Sequence, residues 1–147
     1  MNSKLPATDR SLPIALMRAR EQVMAPIRDM LVDTGLSEQQ WRVLRVLAEH
    51  GEMDSKTLAT RACLLFPSLT RMASAMSKKG LITQARDNAD KRRQLLAITP
   101  AGASIINDNA QRALEIVDGF REILGDTDYE RLLDLLARLG DGQKDLN

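Results

Sequence analysis

The chain has 147 residues, with 21 Lys+Arg against 20 Asp+Glu, so its formal net charge is only +1. That is the length of one domain with room for a core, while one cysteine and one histidine exclude an internal disulfide, a cysteine-based zinc cluster and a histidine pair for metal or triad chemistry. Trp41, Phe66, Phe120 and Tyr129 are the only aromatics, so the core must be aliphatic; no apolar run nears the roughly 18 residues of a membrane span, and no signal pattern opens the chain, so the cytoplasm is expected.

Residues 1–10 are polar and expected to be loose. From Leu12 the pattern predicts a helix to about Thr34, stopped by Gly35, with Leu16, Val23, Met24, Ile27, Met30 and Leu31 as its apolar stripe and Pro26 as a possible kink point. Arg20 interrupts that stripe. Either it snorkels to solvent or pairs with a carboxylate such as Glu21, of its own or another chain, or it anchors an anionic ligand. Ser37-Glu-Gln-Gln40 has the form of a capping box and opens a second helix to about His50, with Trp41, Val43, Leu44, Leu47 and Ala48 on the buried side. Trp41 is either a core or hinge residue or a wall for an aromatic ligand. His50 reads as an ordinary helix-end residue.

Residues 55–62 predict a short helix with Leu58, Ala59 and Ala62 inward, and Cys63-Leu-Leu65 a tight connection, with Cys63 as a small buried hydrophobe. Pro67-Ser-Leu-Thr-Arg71 then opens a helix ending before Gly80. Leu69, Met72, Ala73 and Met76 form its inner stripe; Ser68, Thr70, Arg71, Ser74 and Lys78 form a face of short hydrogen-bonding groups and cations, the types that reach base edges and phosphates. Two helices a turn apart make a helix-turn-helix. Residues 81–86 and 94–99 are strand-like around the tip Asp87-Asn-Ala-Asp-Lys-Arg-Arg93, a hairpin with the form of a wing. Between Ser68 and Arg93 seven basic residues face two acidic ones, a net charge of +5 against −4 for the remainder. A basic patch on a neutral protein is the footprint of a DNA reader.

Thr99 caps and Pro100 starts a further helix, whose Ile106, Ala110, Ala113, Val117, Phe120 and Leu124 recur at spacings of four and three, a seam for packing along another helix. Gly125 ends it. Thr127-Asp-Tyr-Glu130 suggests a second capping box, and Leu132, Leu135, Leu136 and Leu139 continue a last helix to Gly140. The fold class expected is mainly α with a small β wing. It is a single domain over 1–147: a winged helix-turn-helix lobe over 37–99, flanked by dimerisation helices over 12–35 and 100–139, which carry more apolar surface than one small lobe covers.

Thr70-Arg71, Lys79-Gly-Leu-Ile82, Asp90-Lys-Arg92 and Ile98-Thr-Pro-Ala-Gly102 resemble successive signatures of the MarR family of winged-helix regulators, over residues 12–139. Arg10-Ser-Leu-Pro13, Arg18-Ala-Arg-Glu21 and the stretch Leu36-Ser-Glu-Gln-Gln-Trp-Arg-Val-Leu44 resemble the regulators of homoprotocatechuate (aromatic acid) operons within it. Lys91 departs from the pattern, standing where arginine is usual. The resemblance implies repression relieved by a small phenolic or aromatic carboxylate held between the dimerisation helices and the DNA-binding lobe, with Arg20 and Trp41 as candidates for that site.

The residue types assign Ser68, Thr70 and Arg71 to base edges. Lys56, Ser74, Lys78, Lys79, Arg86 and Arg93 fall to the phosphate backbone, with Lys91 in the wing and Arg92 in the flanking minor groove. Asp90 is expected to shape the wing by pairing with an arginine. The partners expected are double-stranded DNA, a second copy of the chain and a small aromatic acid, with no membrane, metal or cofactor. An enzyme is disfavoured, since the chain has no glycine-rich phosphate loop, metal-ligand spacing or nucleophile elbow. Two further alternatives are a redox-sensing regulator working through Cys63 and a winged helix used only for protein contact; three consecutive cations in the wing argue against the second.

Overall fold

The computed structural model describes residues 4–142. The loose start expected for residues 1–10 falls partly outside them at residues 1–3; within them, Thr8–Arg10 form a turn of 3₁₀ helix, a correction to that expectation.

Helix α1 (Leu12–Leu31) runs on through Pro26 and tightens to a 3₁₀ turn at Val32–Thr34 before left-handed Gly35. Only Met30 and Leu31 of its stripe are buried; Leu16 and Val23 stay exposed. Helix α2 (Glu38–His50) opens on the expected capping box. The Ser37 hydroxyl accepts the Gln40 N–H at 3.1 Å, and the Gln40 side chain accepts the Ser37 N–H at 3.1 Å. Trp41, Val43, Leu44 and Leu47 are buried. Ala48 is exposed, contrary to expectation, because the inward face centres on 43, 44 and 47 and position 48 falls past its edge at the helix end.

Strand β1 (Met53–Asp54) is too short to leave a period in the sequence and was not foreseen. It pairs antiparallel with β3 (Gln94–Ile98), which pairs with β2 (Ile82–Arg86), giving the order β1-β3-β2. Between them lie α3 (Ser55–Arg61) and α4 (Phe66–Lys78). Leu44, Leu47, Leu58, Leu69, Met76, Ile82 and Leu96 form the centre of one core that ties both helices to α2 and the sheet.

The turn between α3 and α4 corrects the reading of Cys63, which is exposed. Its N–H bonds to the Thr60 carbonyl at 3.2 Å and the Leu64 N–H to the Ala59 carbonyl at 2.9 Å, a Schellman closure with Cys63 at the left-handed position, φ 54°. Glycine is usual there, because the left-handed region costs an L-residue about 1–2 kcal/mol. The reversal sends Leu64 toward the core and Cys63 outward. Helix α4 closes in the same way. The Gly80 N–H reaches the Ser77 carbonyl and the Leu81 N–H the Met76 carbonyl, both at 3.0 Å, with Gly80 at φ 75° and Leu81 buried.

Helix α5 (Pro100–Leu124) follows the wing and α6 (Asp126–Asp141) follows Gly125. The chain forms two compact units, Met1–Gln111 and Arg112–Asn147. In the first, Ile105 and Ile106 pack against the core. In the second, Arg121 staples the α5–α6 corner: its guanidinium donates to Glu130 at 2.8 Å and lies 4.4 Å from the centre of the Tyr129 ring. The capping box expected at Thr127 does not form. The Tyr129 N–H already bonds to the Gly125 carbonyl at 2.9 Å, so α6 starts at Asp126 and Thr127 lies inside it. Of the seam on α5, Ala113, Val117 and Phe120 are half-buried, and Leu132, Leu135, Leu136 and Leu139 on α6 are exposed. Among the described residues no helix is long and apolar enough to cross a membrane.

Candidate nucleic-acid interface

The start of α3, the first turns of α4 and the wing enclose a groove of about 860 Å³. Lys56 and Thr57 line it from α3, Phe66 and Thr70 from α4, and Arg86, Asp90, Lys91, Arg92 and Arg93 from the hairpin. Thr70 donates its hydroxyl to the Phe66 carbonyl at 3.1 Å, which leaves the oxygen lone pairs of an exposed side chain free to accept. Arg71, Ser74 and Lys78 continue along exposed positions of α4, Lys79 sits at its C-cap, and Ser68 is half-buried in its first turn. Of the three base-edge candidates, Thr70 alone lines the groove itself.

The wing tip is closed by its own backbone. The Asp87 N–H bonds to the Arg93 carbonyl and the Arg93 N–H to the Asp90 carbonyl, both at 3.0 Å. The Asp87 carboxylate accepts the Ala89 N–H at 2.9 Å, the Asp90 carboxylate accepts the Arg92 N–H at 3.0 Å, and Arg86 donates to the Lys91 carbonyl at 3.4 Å. Asp90 therefore shapes the tip as a short side chain folding back on its own backbone. This corrects the expectation of an Asp90–arginine pair. The arginine pair belongs to Arg93, which turns back to Asp54 at 2.8 Å and Asp87 at 3.7 Å. Lys56, Arg71, Lys78, Lys79, Lys91 and Arg92 have no carboxylate partner among the described residues, so their charge faces outward undiminished.

Asp54 is a residue that sequence reasoning missed. Its carboxylate caps α3, accepting the Thr57 N–H and hydroxyl, each at 2.9 Å, and also holds Arg93. One side chain thus joins the helix-turn-helix to the wing. The local signal, Asp-Ser-Lys-Thr, identifies a cap but not the distant arginine. The Thr57 N–H, ahead of the Thr57 hydroxyl and Arg93, holds the Asp54 carboxyl below its ordinary value of 3.8. A depressed carboxyl adds stability that is complete above the unfolded value and is lost as pH falls through the folded one. Asp54→Ala is expected to lower stability by about 1–2 kcal/mol at neutral pH, the range for a lost N-cap. Urea unfolding across pH should show that deficit shrink below pH 3.8; a deficit constant down to pH 2 would contradict the linkage.

Trp41 is buried and lines a second cleft, of about 290 Å³, with Met24, Ile27, Glu38, Arg42, Arg45, Val46 and Glu49. Arg42 is held by Glu38 at 3.3 Å, while Arg45 has no carboxylate partner among the described residues. Arg20 is exposed on α1, outside that lining. The Glu21 carboxylate suggested as its partner pairs with Arg28 instead, two turns further along on the same helix face. Arg20 is therefore not among the residues that line the cleft with Trp41, whereas Arg45 is.

Proteins of similar sequence share the fold. The homoprotocatechuate degradative operon repressor of Escherichia coli is 38% identical over 125 residues, 85% of this chain and 82% of its own. The crystal structure of NadR in complex with 4-hydroxyphenylacetate is 36% identical with a TM-score of 0.81, over 93% of this chain and 100% of that one. The repressor CouR, bound to a 23-mer DNA duplex, is 26% identical with a TM-score of 0.78, over 95% and 99% of the two chains. The MarR family pattern itself matches residues 36–93, from the cap of α2 to the end of the wing tip. With that match and a relative this similar over most of both lengths, the chain belongs to the MarR family of transcriptional regulators.

Proposed function

We propose that the chain is a cytoplasmic repressor that binds an inverted-repeat operator as a homodimer and is released by a small aromatic acid. The observation that carries the DNA reading is the groove in which the exposed face of α4 and the wing cations meet. Along α4 and the wing around it, Ser68, Thr70 and Arg71 serve base edges, Arg92 a flanking minor groove, and Lys56, Ser74, Lys78, Lys79, Arg86 and Lys91 the phosphates, with Arg93 divided between phosphate and its strut to Asp54. Residues 37–99 are the DNA-binding lobe, and 12–35 and 100–139 supply the dimer contacts. Exposed Leu12, Ile14, Leu16 and Met17 on α1 and the exposed leucines of α6 support that division. Two-fold symmetry sets the half-sites about one helical turn apart.

The test is titration of operator and random duplexes from low to high salt, with the mass measured by light scattering. A dimer whose affinity falls steeply with salt is expected, because each neutralised phosphate releases counterions. A salt-independent affinity, or none, would favour the protein-contact alternative.

For the effector, the cleft beside Trp41 has the size of a small-ligand site. Trp41 offers an aromatic wall and Arg45 a cation, without a carboxylate partner among the described residues, for a ligand carboxylate, and the relative NadR is solved with 4-hydroxyphenylacetate. A tenfold loss of operator affinity requires about 1.4 kcal/mol of coupling, within the allosteric range. Thermal shift with hydroxylated phenylacetates should lose its ligand increment in Arg45→Ala and keep it in Arg20→Ala. Loss in Arg20→Ala alone would return the anchor to α1.

A further inference from the structure

The connection into α4 carries two large apolar side chains that no core claims. Leu64 packs inward, but Leu65 is 76% and Phe66 47% exposed. Burial normally governs such residues, and here they stand side by side at the N-terminal end of the recognition helix. Phe66 also lines the groove with Thr70, Arg86 and Arg92. The Thr70 hydroxyl bonded to the Phe66 carbonyl sets the two residues one turn apart on one helix face. A phenyl ring has no use for a phosphate, and the cations around it disfavour an apolar protein partner. The apolar group a duplex presents in its major groove is the thymine C5-methyl.

We propose that Phe66, with Leu65 beside it, packs on thymine methyl groups in the major groove and so selects thymine at operator positions next to those read by Thr70 and Arg71. This rests on the DNA reading above. The geometry favours it because the N-terminal turns of a recognition helix are the part that meets base edges.

The experiment selects duplexes from a random pool with the wild-type dimer, then remakes the recovered site with deoxyuridine in place of each thymidine in turn. Deoxyuridine keeps every hydrogen-bonding group and removes only the methyl. At one or two positions the wild type is expected to lose about fourfold in affinity, the factor for one buried methyl-sized group (~0.8 kcal/mol). Phe66→Ala should bind the thymidine and deoxyuridine duplexes alike, with its salt slope unchanged. Wild type indifferent to deoxyuridine everywhere would overturn the proposal and leave the DNA reading standing. Recovery of no duplex would overturn both. The wild-type comparison needs no variant, so it decides the matter even if Phe66→Ala fails to fold. Deoxyuridine indifference together with a changed mass for Phe66→Ala would assign the patch to a contact between copies.

Discussion

Gly102→Ala is expected to destabilise the protein by about 3 kcal/mol or more, a far larger effect than an alanine in a helix normally has. In a helix interior that change stabilises by up to about 1 kcal/mol. At this position the new methyl would stand 2.3 Å from the Leu81 carbonyl oxygen, 2.9 Å from Ile98 Cγ1 and 3.3 Å from Leu44 Cδ2. The first contact is with backbone and cannot be relieved by a rotamer. The Leu81 carbonyl is itself engaged, accepting the Thr99 N–H at 3.1 Å. Thr99 in turn donates its hydroxyl to the Gly80 carbonyl at 2.6 Å and accepts the Gly102 N–H at 3.2 Å. Pushing α5 away from the base of the wing therefore breaks the bonds that seat both. Gly119, also within α5, is the control: a methyl there meets nothing within 4 Å, and Gly119→Ala should raise the unfolding midpoint slightly. Equal midpoints for Gly102→Ala and wild type would mean that the wing base and α5 separate freely.

What the sequence revealed here tracks how local the causes are. The capping box of Ser37 and Gln40 closes over three residues, and the stripe Leu69, Ala73, Met76 is one helix face; both are visible without knowing what they pack against. The α4 polar face and wing charge were legible for the same reason, since they are composition and period. The junctions were not. Asp54 and Arg93 are 39 residues apart, and β1 meets β3 across a similar distance, so neither pair leaves a periodic trace. Cys63 misled because its neighbours are apolar, while its left-handed backbone turns it outward. Arg20 shows the limit of the period itself, which put it on an apolar stripe, while in the single chain much of that stripe and Arg20 with it are exposed.

Arg71→Ala and Arg92→Ala should separate the two kinds of DNA contact. Arg71 is an exposed cation on α4 beside Thr70, in the segment a major groove admits. Losing a directly read base contact costs about 1–3 kcal/mol, so Arg71→Ala should weaken operator binding by roughly 5–150-fold and leave random duplex nearly unaffected. Arg92 stands exposed in the wing, its N–H fixed by the Asp90 carboxylate and its guanidinium without a carboxylate partner among the described residues. Removing it should lower affinity for operator and random duplex together and reduce the salt slope by about one. The loss should be greatest where A·T-rich flanks narrow the minor groove and deepen its negative potential. Titrations of both variants on operator, flank-substituted operator and random DNA at two salt concentrations read every one of these differences. Wild-type affinities for both would remove α4 and the wing from the DNA contact. A uniform loss for Arg71→Ala with an unchanged flank preference for Arg92→Ala would exchange their roles, making the helix the backbone clamp and the wing incidental. The geometry argues against that exchange: the wing backbone is closed on itself and presents Lys91 and Arg92 as exposed cations without a carboxylate partner among the described residues, whereas α4 presents Thr70 and Arg71 side by side on one helix, the pairing that base discrimination needs.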